Sequence, residues 1–128
     1  MWENLKANSI DGVRGCLRQG YSVEDRNMGW TPLMHASERN QMVMMDVLIK
    51  HRADLNATNG KKMRTAFSFA ASPSNGHDEA INAVALLLGV RANIHHRDAS
   101  GRTAEQRASD EGHLASSTML RNFRLSGR

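Results

Sequence analysis

Three segments of this chain begin alike, and this internal repetition constrains the fold more than any other feature of the sequence. Each segment opens with a threonine, and Thr31, Thr65 and Thr103 lie 34 and 38 residues apart. A period of this length is typical of a repeat architecture, in which each unit buries its apolar side only against its neighbours. The sequence therefore predicts a stack of similar units.

Each unit has the pattern of two helices. The threonine hydroxyl can accept a hydrogen bond from an unpaired N–H at a helix N-terminus, and Pro32 suits the first helical position because its missing N–H has no partner there. Leu33 and Ala36 lie three residues apart and share one face of that helix. A second apolar run with helical spacing follows. Its residues are Met42, Met45, Leu48 and Ile49 in one unit and Ile81, Val84, Leu87 and Leu88 in the next.

These segments resemble the ankyrin repeat, whose pattern runs Gly-x-Thr-Pro-Leu-x-x-Ala-Ala, then a second helix ending in Leu-Leu, then Gly-Ala-Asp-x-Asn. The best match is Gly29 to Asn56, and the resemblance covers nearly the whole chain. It implies an all-α fold, an ankyrin repeat solenoid of antiparallel helix pairs joined by hairpin loops. The single domain, 1–128, would contain a shortened first repeat and three full ones. Their approximate limits are 2–24, 25–57, 58–96 and 97–124.

The chain departs from the repeat pattern at several places, and each departure predicts a local feature of the structure. Arg52 and Arg91 stand where the family has glycine, which requires either a strained backbone or a shifted turn. Extra residues in the third unit fall in the turn-rich stretch 72–78, which reads as a surface insertion. The last repeat is polar at Glu105 and Arg121, as a C-terminal cap requires. We expect helices near 2–7, 10–18, 31–39, 42–50, 65–72, 79–89, 103–110 and 113–122.

The resemblance implies that a partner docks on the hairpin tips and on the exposed face of the first helices. The tip positions are Met28, Trp30, Lys61, Lys62, Arg64, Ser100 and Arg102, and the first-helix positions are Glu38, Arg39, Ser72, Asp110 and Glu111. We expect Trp30 to lie on the concave side beside Met28, with Arg64 and Arg102 in line across the next two repeats. A rigid aromatic residue flanked by arginines is typical of an interaction hot spot. The alternative is that Trp30 folds back over its own hairpin.

The charge of the chain favours an acidic partner. It carries 17 basic and 13 acidic residues, a net charge of +4. We interpret one group as a basic stripe suited to an acidic peptide, an acidic protein surface or phosphate, the alternative being a solvated loop. The group is Lys61, Lys62, Arg64, Arg97 and Arg102. Nucleic acid is not favoured, because Trp30 is the one aromatic residue well placed for stacking on bases.

The predicted function is therefore non-catalytic protein–protein interaction through the tips and the concave face. The partner would be a protein with acidic and apolar contact features. The alternative is a structural subunit permanently embedded in a larger assembly. On its own the chain would be a monomer. The other possibility is that it is a subunit of a hetero-complex.

No other chemistry finds a supporting pattern. The six histidines have no carboxylate or cysteine at a recognised ligand spacing, so neither a metal nor a cofactor is predicted. Cys16 lies in an apolar helical stripe and is expected to be a buried, inert thiol. The adjacent carboxylates at 78–79 and 110–111 point about 100° apart on a helix and make poor acid–base partners. The chain is therefore not expected to be an enzyme.

The compartment is indicated only weakly. A single cysteine fits a reduced environment, and no apolar run approaches the roughly 18 residues that span a bilayer. The N-terminus lacks a basic segment followed by an apolar one. These features favour an intracellular location, cytoplasmic or within an organelle if a targeting segment has been removed.

Overall fold

The computed structural model describes residues 1–73 and 81–126, and within them the chain is helical. Those residues contain no β-strand, only an isolated bridge between Asn27 and Trp30, so the all-α prediction is confirmed. A short 3-10 turn at Gly60–Lys62 was not predicted. The helices described are α1 (Trp2–Lys6), α2 (Ile10–Arg18), α3 (Pro32–Glu38), α4 (Met42–Lys50), α5 (Ala66–Ala71), α6 (Asn82–Gly89), α7 (Ala104–Asp110) and α8 (Leu114–Leu125).

The predicted helix limits agree with these within one or two residues at most ends. The exceptions are α8, which continues to Leu125, and α6, which begins at Asn82. Residues 79 and 80 of the predicted sixth helix and 74–78 of the predicted insertion lie outside the described residues. Within the described parts of the chain, no helix is long and apolar enough to cross a membrane.

Threonine caps begin the first helix of each full repeat. The hydroxyls of Thr31, Thr65 and Thr103 each accept a hydrogen bond from the backbone N–H three residues later, at 3.2 to 3.3 Å. Pro32 occupies the first helical position, as predicted. A side-chain cap of this kind contributes about 1 kcal/mol to a helix. The repeated threonine therefore sets where each repeat turns from loop to helix.

The helices form two layers. The first helices α1, α3, α5 and α7 pack side by side in chain order, and the second helices α2, α4 and α6 do the same behind them. Ala36, Ala70 and Ala108 are buried in the first helices, where their small side chains allow close approach. The largest fully buried side chains include Leu33, Met44, Met45, Leu48, Phe67, Leu87 and Leu120. The core is thus a continuous aliphatic seam between the two layers.

The two arginines at glycine positions have a strained backbone. Arg52 and Arg91 have φ angles of +65° and +62°, and Gly20 takes φ +98° at the same place in the first repeat. In each case the N–H of the next residue bonds a carbonyl of the preceding helix. This left-handed conformation costs roughly 1 kcal/mol when a Cβ is present. Of the two alternatives that the sequence left open, the strained backbone is therefore correct.

We predict that Arg91→Gly is more stable than Arg91→Ala by about 0.5–1 kcal/mol of unfolding free energy. Glycine removes the Cβ that makes φ +62° unfavourable, and alanine removes only the charge. Urea denaturation followed by far-ultraviolet circular dichroism measures the difference. Arg52→Gly and Arg52→Ala form an independent second pair. Equal stability of the glycine and alanine variants at both sites would contradict the strain.

Candidate functional site

Three hairpin loops precede α3, α5 and α7, and hydrogen bonds tie them side by side. In the first, Nη1 of Arg26 donates to the carbonyl of Gly29 at 3.0 Å and to that of Thr58 in the next repeat at 2.7 Å. The N–H of Ala99 in the third hairpin donates to the carbonyl of Lys62 in the second at 2.9 Å. These contacts hold the tips of the hairpins in one row.

The second hairpin has the longest tip. The paired residues of the first hairpin enclose Met28 and Gly29, those of the second enclose 60–63, and those of the third enclose 99–101. The second tip is the 3-10 turn, where Lys61 and Lys62 are both exposed. Two positive charges are therefore presented at the middle of the row.

Two methionines at these tips are exposed in an unfavourable backbone conformation. Met28 is 95% exposed with φ +53°, and Met63 is 45% exposed with the same φ. Glycine or asparagine is the usual residue at such positions, because a larger side chain clashes with its own backbone. Large apolar side chains at such positions are therefore unusual.

A groove lies between the first and second hairpins, and we call it the Trp30–Arg64 groove. The ring of Trp30 packs on Phe69 of α5, with ring centroids 4.1 Å apart and a tilt of 34°. The guanidinium carbon of Arg64 lies 4.2 Å from the centre of the same Phe69 ring. None of the described residues that line the groove carries a carboxylate. The lining residues are Trp30, Asn59, Lys61, Lys62, Arg64 and Phe69.

Neutral oxygens hold the Arg64 side chain in place. Its Nε donates to Oγ of Ser68 at 2.9 Å, and its Nη2 donates to the carbonyls of Ser68 and Ser72, each at 3.1 Å. Among the described residues, Nη1 has no acceptor within hydrogen-bond distance. The guanidinium is thus fixed in position with one nitrogen still available.

The electrostatic environment of Arg64 is mixed. Burial lowers the pKa of Arg64, and the positive charge of Arg107 lowers it further. The negative charges of three carboxylates raise this pKa without reversing the shift; they belong to Glu111, Glu38 and Asp98. An arginine remains protonated at neutral pH despite such a shift. The groove therefore contains a partly dehydrated cation.

The structure brings together four of the predicted contact residues. Trp30, Lys61, Lys62 and Arg64 all line the groove. The alternative that Trp30 folds over its own hairpin is wrong, because its ring packs on Phe69 of the following repeat. Met28 is the exposed neighbour at the tip.

The five members of the basic stripe predicted from the sequence divide between two grooves. Arg97 and Arg102 line a separate groove together with the carboxylates of Glu105 and Asp110. Nε of Arg102 lies 3.1 Å from Oδ2 of Asp110, and both side chains are about half exposed. Unlike Arg64, Arg102 therefore has a carboxylate partner within its own repeat.

Two residues expected on an exposed face are buried. Glu38 is 9% exposed and Ser72 is 2% exposed. The helix α3 is flanked by α1, α4 and α5, and every one of its residues is buried. Arg39, which follows that helix, is exposed as expected, and so are Asp110 and Glu111. The contact surface offered by the first helices is thus narrower than the family pattern implies.

The position four residues after each threonine was missed at the sequence level. Two of these residues contact a tryptophan of the preceding repeat: the ring of Trp2 meets His35 edge-on with centroids 5.6 Å apart, and Trp30 stacks on Phe69. The third, Arg107, pairs with Asp98 and Glu111 of its own repeat. Aligning the repeats on their threonines would have shown a large side chain there in each full repeat. The residues are His35, Phe69 and Arg107.

Asp98 organises the third hairpin. Its Oδ1 accepts hydrogen bonds from the N–H of Ser100 at 2.9 Å, the hydroxyl of Ser100 at 2.6 Å and the N–H of Arg102 at 3.2 Å. Its Oδ2 lies 2.8 Å from Nη2 and 2.9 Å from Nε of Arg107. Burial raises the pKa of Asp98, but the hydrogen bonds from Ser100, Arg107 and Arg102 outweigh it and lower the pKa to about 2. The predicted contact residue Ser100 therefore serves its own hairpin.

The described residues contain no cluster of three or more histidine, cysteine, aspartate or glutamate side chains that could hold a metal ion. Cys16 is partly exposed, and Nδ2 of Asn4 donates to its sulfur at 3.5 Å. The expectation of a buried thiol is therefore wrong. The carboxylates at 78 and 79 lie outside the described residues.

Comparison with known proteins supports the repeat pattern. A family model described as ankyrin repeat matches residues 28–60. The chain is 33% identical over 89 residues to "Ankyrin repeat, SAM and basic leucine zipper domain-containing protein 1" of Mustela putorius furo, covering 69% of this chain and 18% of that protein. It is 33% identical over 52 residues to a putative ankyrin repeat protein of Rickettsia felis, covering 41% of this chain and 20% of the relative.

A third relative matches more of the chain at lower identity. It is "BRCA1-associated RING domain protein 1" of Caenorhabditis elegans, 27% identical over 108 residues, covering 84% of this chain and 15% of that protein. The chain thus spans between 15% and 20% of the length of these three relatives.

We predict that Asp98→Asn removes part of the acid sensitivity of folding. The folded pKa of about 2 is below the unfolded value of 3.8, so Asp98 stabilises the fold above pH about 4 and loses this effect as the pH falls toward 2. The difference corresponds to about 2 kcal/mol of unfolding free energy. Urea denaturation of wild type and variant at stepped pH measures it.

The control for this prediction is Glu111→Gln, because Glu111 is exposed and lies 3.5 Å from Nη1 of the same Arg107. It should follow the wild-type pH profile closely. An Asp98→Asn profile parallel to wild type between pH 2 and 4 would show that Asp98 does not carry this part of the stability.

Proposed function

This chain is an ankyrin-repeat protein, and from that premise we propose that it binds a partner protein through its hairpin tips and the adjoining face of its first helices. Ankyrin repeats generally mediate protein–protein interaction and are typically non-catalytic. We take this chain to be non-enzymatic in the same way. The partner has acidic and apolar contact features.

The exposure of Met28 is the observation that carries the proposal. A side chain that is 95% exposed at φ +53° has almost no packing against the described residues that would offset its strain. Methionine is flexible and polarizable, which suits it to binding surfaces. Together with the exposed residues of the second tip it forms what we call the tip edge. The tip edge consists of Met28, Lys61, Lys62 and Met63.

The second candidate function is a structural subunit permanently embedded in a larger assembly. Large hydrophobic side chains are also exposed outside the hairpins: Val43 at 60%, Leu114 at 69% and Leu125 at 67%. They lie on the second helices, away from the tip edge. An interaction surface in this layer would favour the embedded role.

The comparisons support a binding role at the level of the family. One relative is described by name as associated with BRCA1, and another by name combines ankyrin repeats with further domains. Since this chain spans at most 20% of these proteins, their partners are not carried over.

We predict that peptides selected by this chain from a random phage-displayed library depend on the tip edge. The variant Met28→Ser/Lys61→Glu/Lys62→Glu removes the exposed apolar side chain and reverses two charges. It should weaken the binding of selected peptides at least about tenfold, because contacts at the centre of an interface dominate its energy. Isothermal titration calorimetry with the synthetic peptides measures the loss.

A matched control changes one exposed apolar and two exposed basic side chains on the second helices, Val43→Ser/Arg14→Glu/Arg18→Glu. It should leave the affinities within about twofold, since surface changes away from the contact have small effects. Circular dichroism shows that both variants stay folded. Binding lost in this control and kept in the tip-edge variant would overturn the proposal in favour of the embedded subunit.

A further inference from the structure

We propose that the Trp30–Arg64 groove receives one acidic side chain, an aspartate or glutamate, from an extended segment of the partner protein. The inference rests on the proposed function, because the groove lies beside the tip edge. It adds the chemical group that the groove recognises and the residues that recognise it.

The charges that line the Trp30–Arg64 groove are unbalanced. Three basic side chains line it, and no carboxylate of the described residues does. The neighbouring groove of the third hairpin shows the opposite case, since Arg97 and Arg102 share it with Glu105 and Asp110. Both grooves contain basic side chains, but only in the neighbouring one does a lining carboxylate pair with a lining arginine, Asp110 with Arg102. A negative charge supplied by a partner therefore complements the Trp30–Arg64 groove.

The guanidinium of Arg64 is already held in position by its own chain. Three hydrogen bonds to Ser68 and Ser72 and the face of Phe69 hold its guanidinium in place. Nη1 remains available to donate, so a carboxylate gains a charge-assisted hydrogen bond without first ordering a flexible side chain. Lys61 and Lys62 are exposed beside it, and they add attraction without a fixed geometry.

The groove also has an apolar wall, formed by Trp30 and Phe69. Trp30 is partly buried and stacks on Phe69, so aromatic surface lies next to the cation. The methylene groups of an aspartate or glutamate can lie on this surface while the carboxylate meets Arg64. A neighbouring apolar residue of the segment then reaches Met28 at the tip. This combination favours a carboxylate side chain on a polypeptide over a free anion.

The test is a double-mutant cycle between Arg64 and the acidic residue of the bound peptide. The probes are the synthetic peptides recovered on wild-type protein that depend on the tip edge. Each is compared with a version in which the acidic residue is replaced by its amide. On the wild-type protein we expect the amide peptide to bind about tenfold more weakly than the acidic peptide. On Arg64→Gln we expect the amide peptide to bind only about twofold more weakly than the acidic one, since the paired charge is already absent from the protein.

Two further variants separate binding from folding. Lys61→Gln/Lys62→Gln changes only exposed side chains and should reduce both the affinity and its dependence on salt. Arg102→Gln is the matched control, because its guanidinium is paired with Asp110, and it should show no coupling to the peptide carboxylate. Thermal unfolding of each variant is recorded, and Arg64→Met, which keeps an unbranched apolar stem against Phe69 without the charge, replaces Arg64→Gln in the cycle if the latter does not fold.

Several results would overturn the inference. If amide peptides bind wild type as tightly as the acidic ones, or lose the same factor on Arg64→Gln, the groove does not receive the acid, while the tip-edge proposal stands. If a phosphoserine at that position binds more than about tenfold tighter than the acid, the groove is a phosphate site. If no selected peptide depends on the tip edge, both the inference and the proposed function fail.

Discussion

The packing of α5 between α3 and α7 is the contact on which the rest of the structure depends. A repeat cannot bury its apolar side alone, so each first helix needs its neighbours on both sides. The threonine caps fix where these helices begin, and the buried alanines allow them to approach closely. The same packing sets the spacing of the hairpins. Because those hairpins extend from the capped ends, side chains distant in sequence, such as Trp30 and Phe69, come into contact.

Four of the left-handed residues of this chain form two pairs with different physical meanings. Arg52 and Arg91 follow the C-termini of second helices, where a positive charge interacts favourably with the carbonyl end of the helix and offsets part of the strain. Met28 and Met63 occupy hairpin tips, and their exposed apolar side chains have no comparable interaction with the part of the chain that the structure describes. Strain at the first pair is therefore compatible with a purely structural role. Strain at the second pair is the stronger indication of function.

Charge pairing distinguishes the two grooves more clearly than charge content does. In the third hairpin, Asp98 accepts from Arg107 and from two backbone N–H groups, and Asp110 pairs with Arg102. In the second, Arg64 donates only to neutral oxygens among the described residues. A count of basic residues along the chain treats both hairpins alike. Only the positions of the carboxylates show which cations are already neutralised.

The sequence by itself determined the helix pairs, the threonine caps, the family and the approximate limits of most helices, because these follow from local spacing and from a pattern repeated in register. It also singled out Trp30, Arg64, Lys61 and Lys62, and all four line one groove. The tertiary structure alone decided that Glu38 is buried, that Arg102 is paired with Asp110 and that Phe69 joins Trp30 to Arg64. Burial and pairing depend on which side chains of neighbouring repeats meet, and a periodic pattern within one chain does not contain that information.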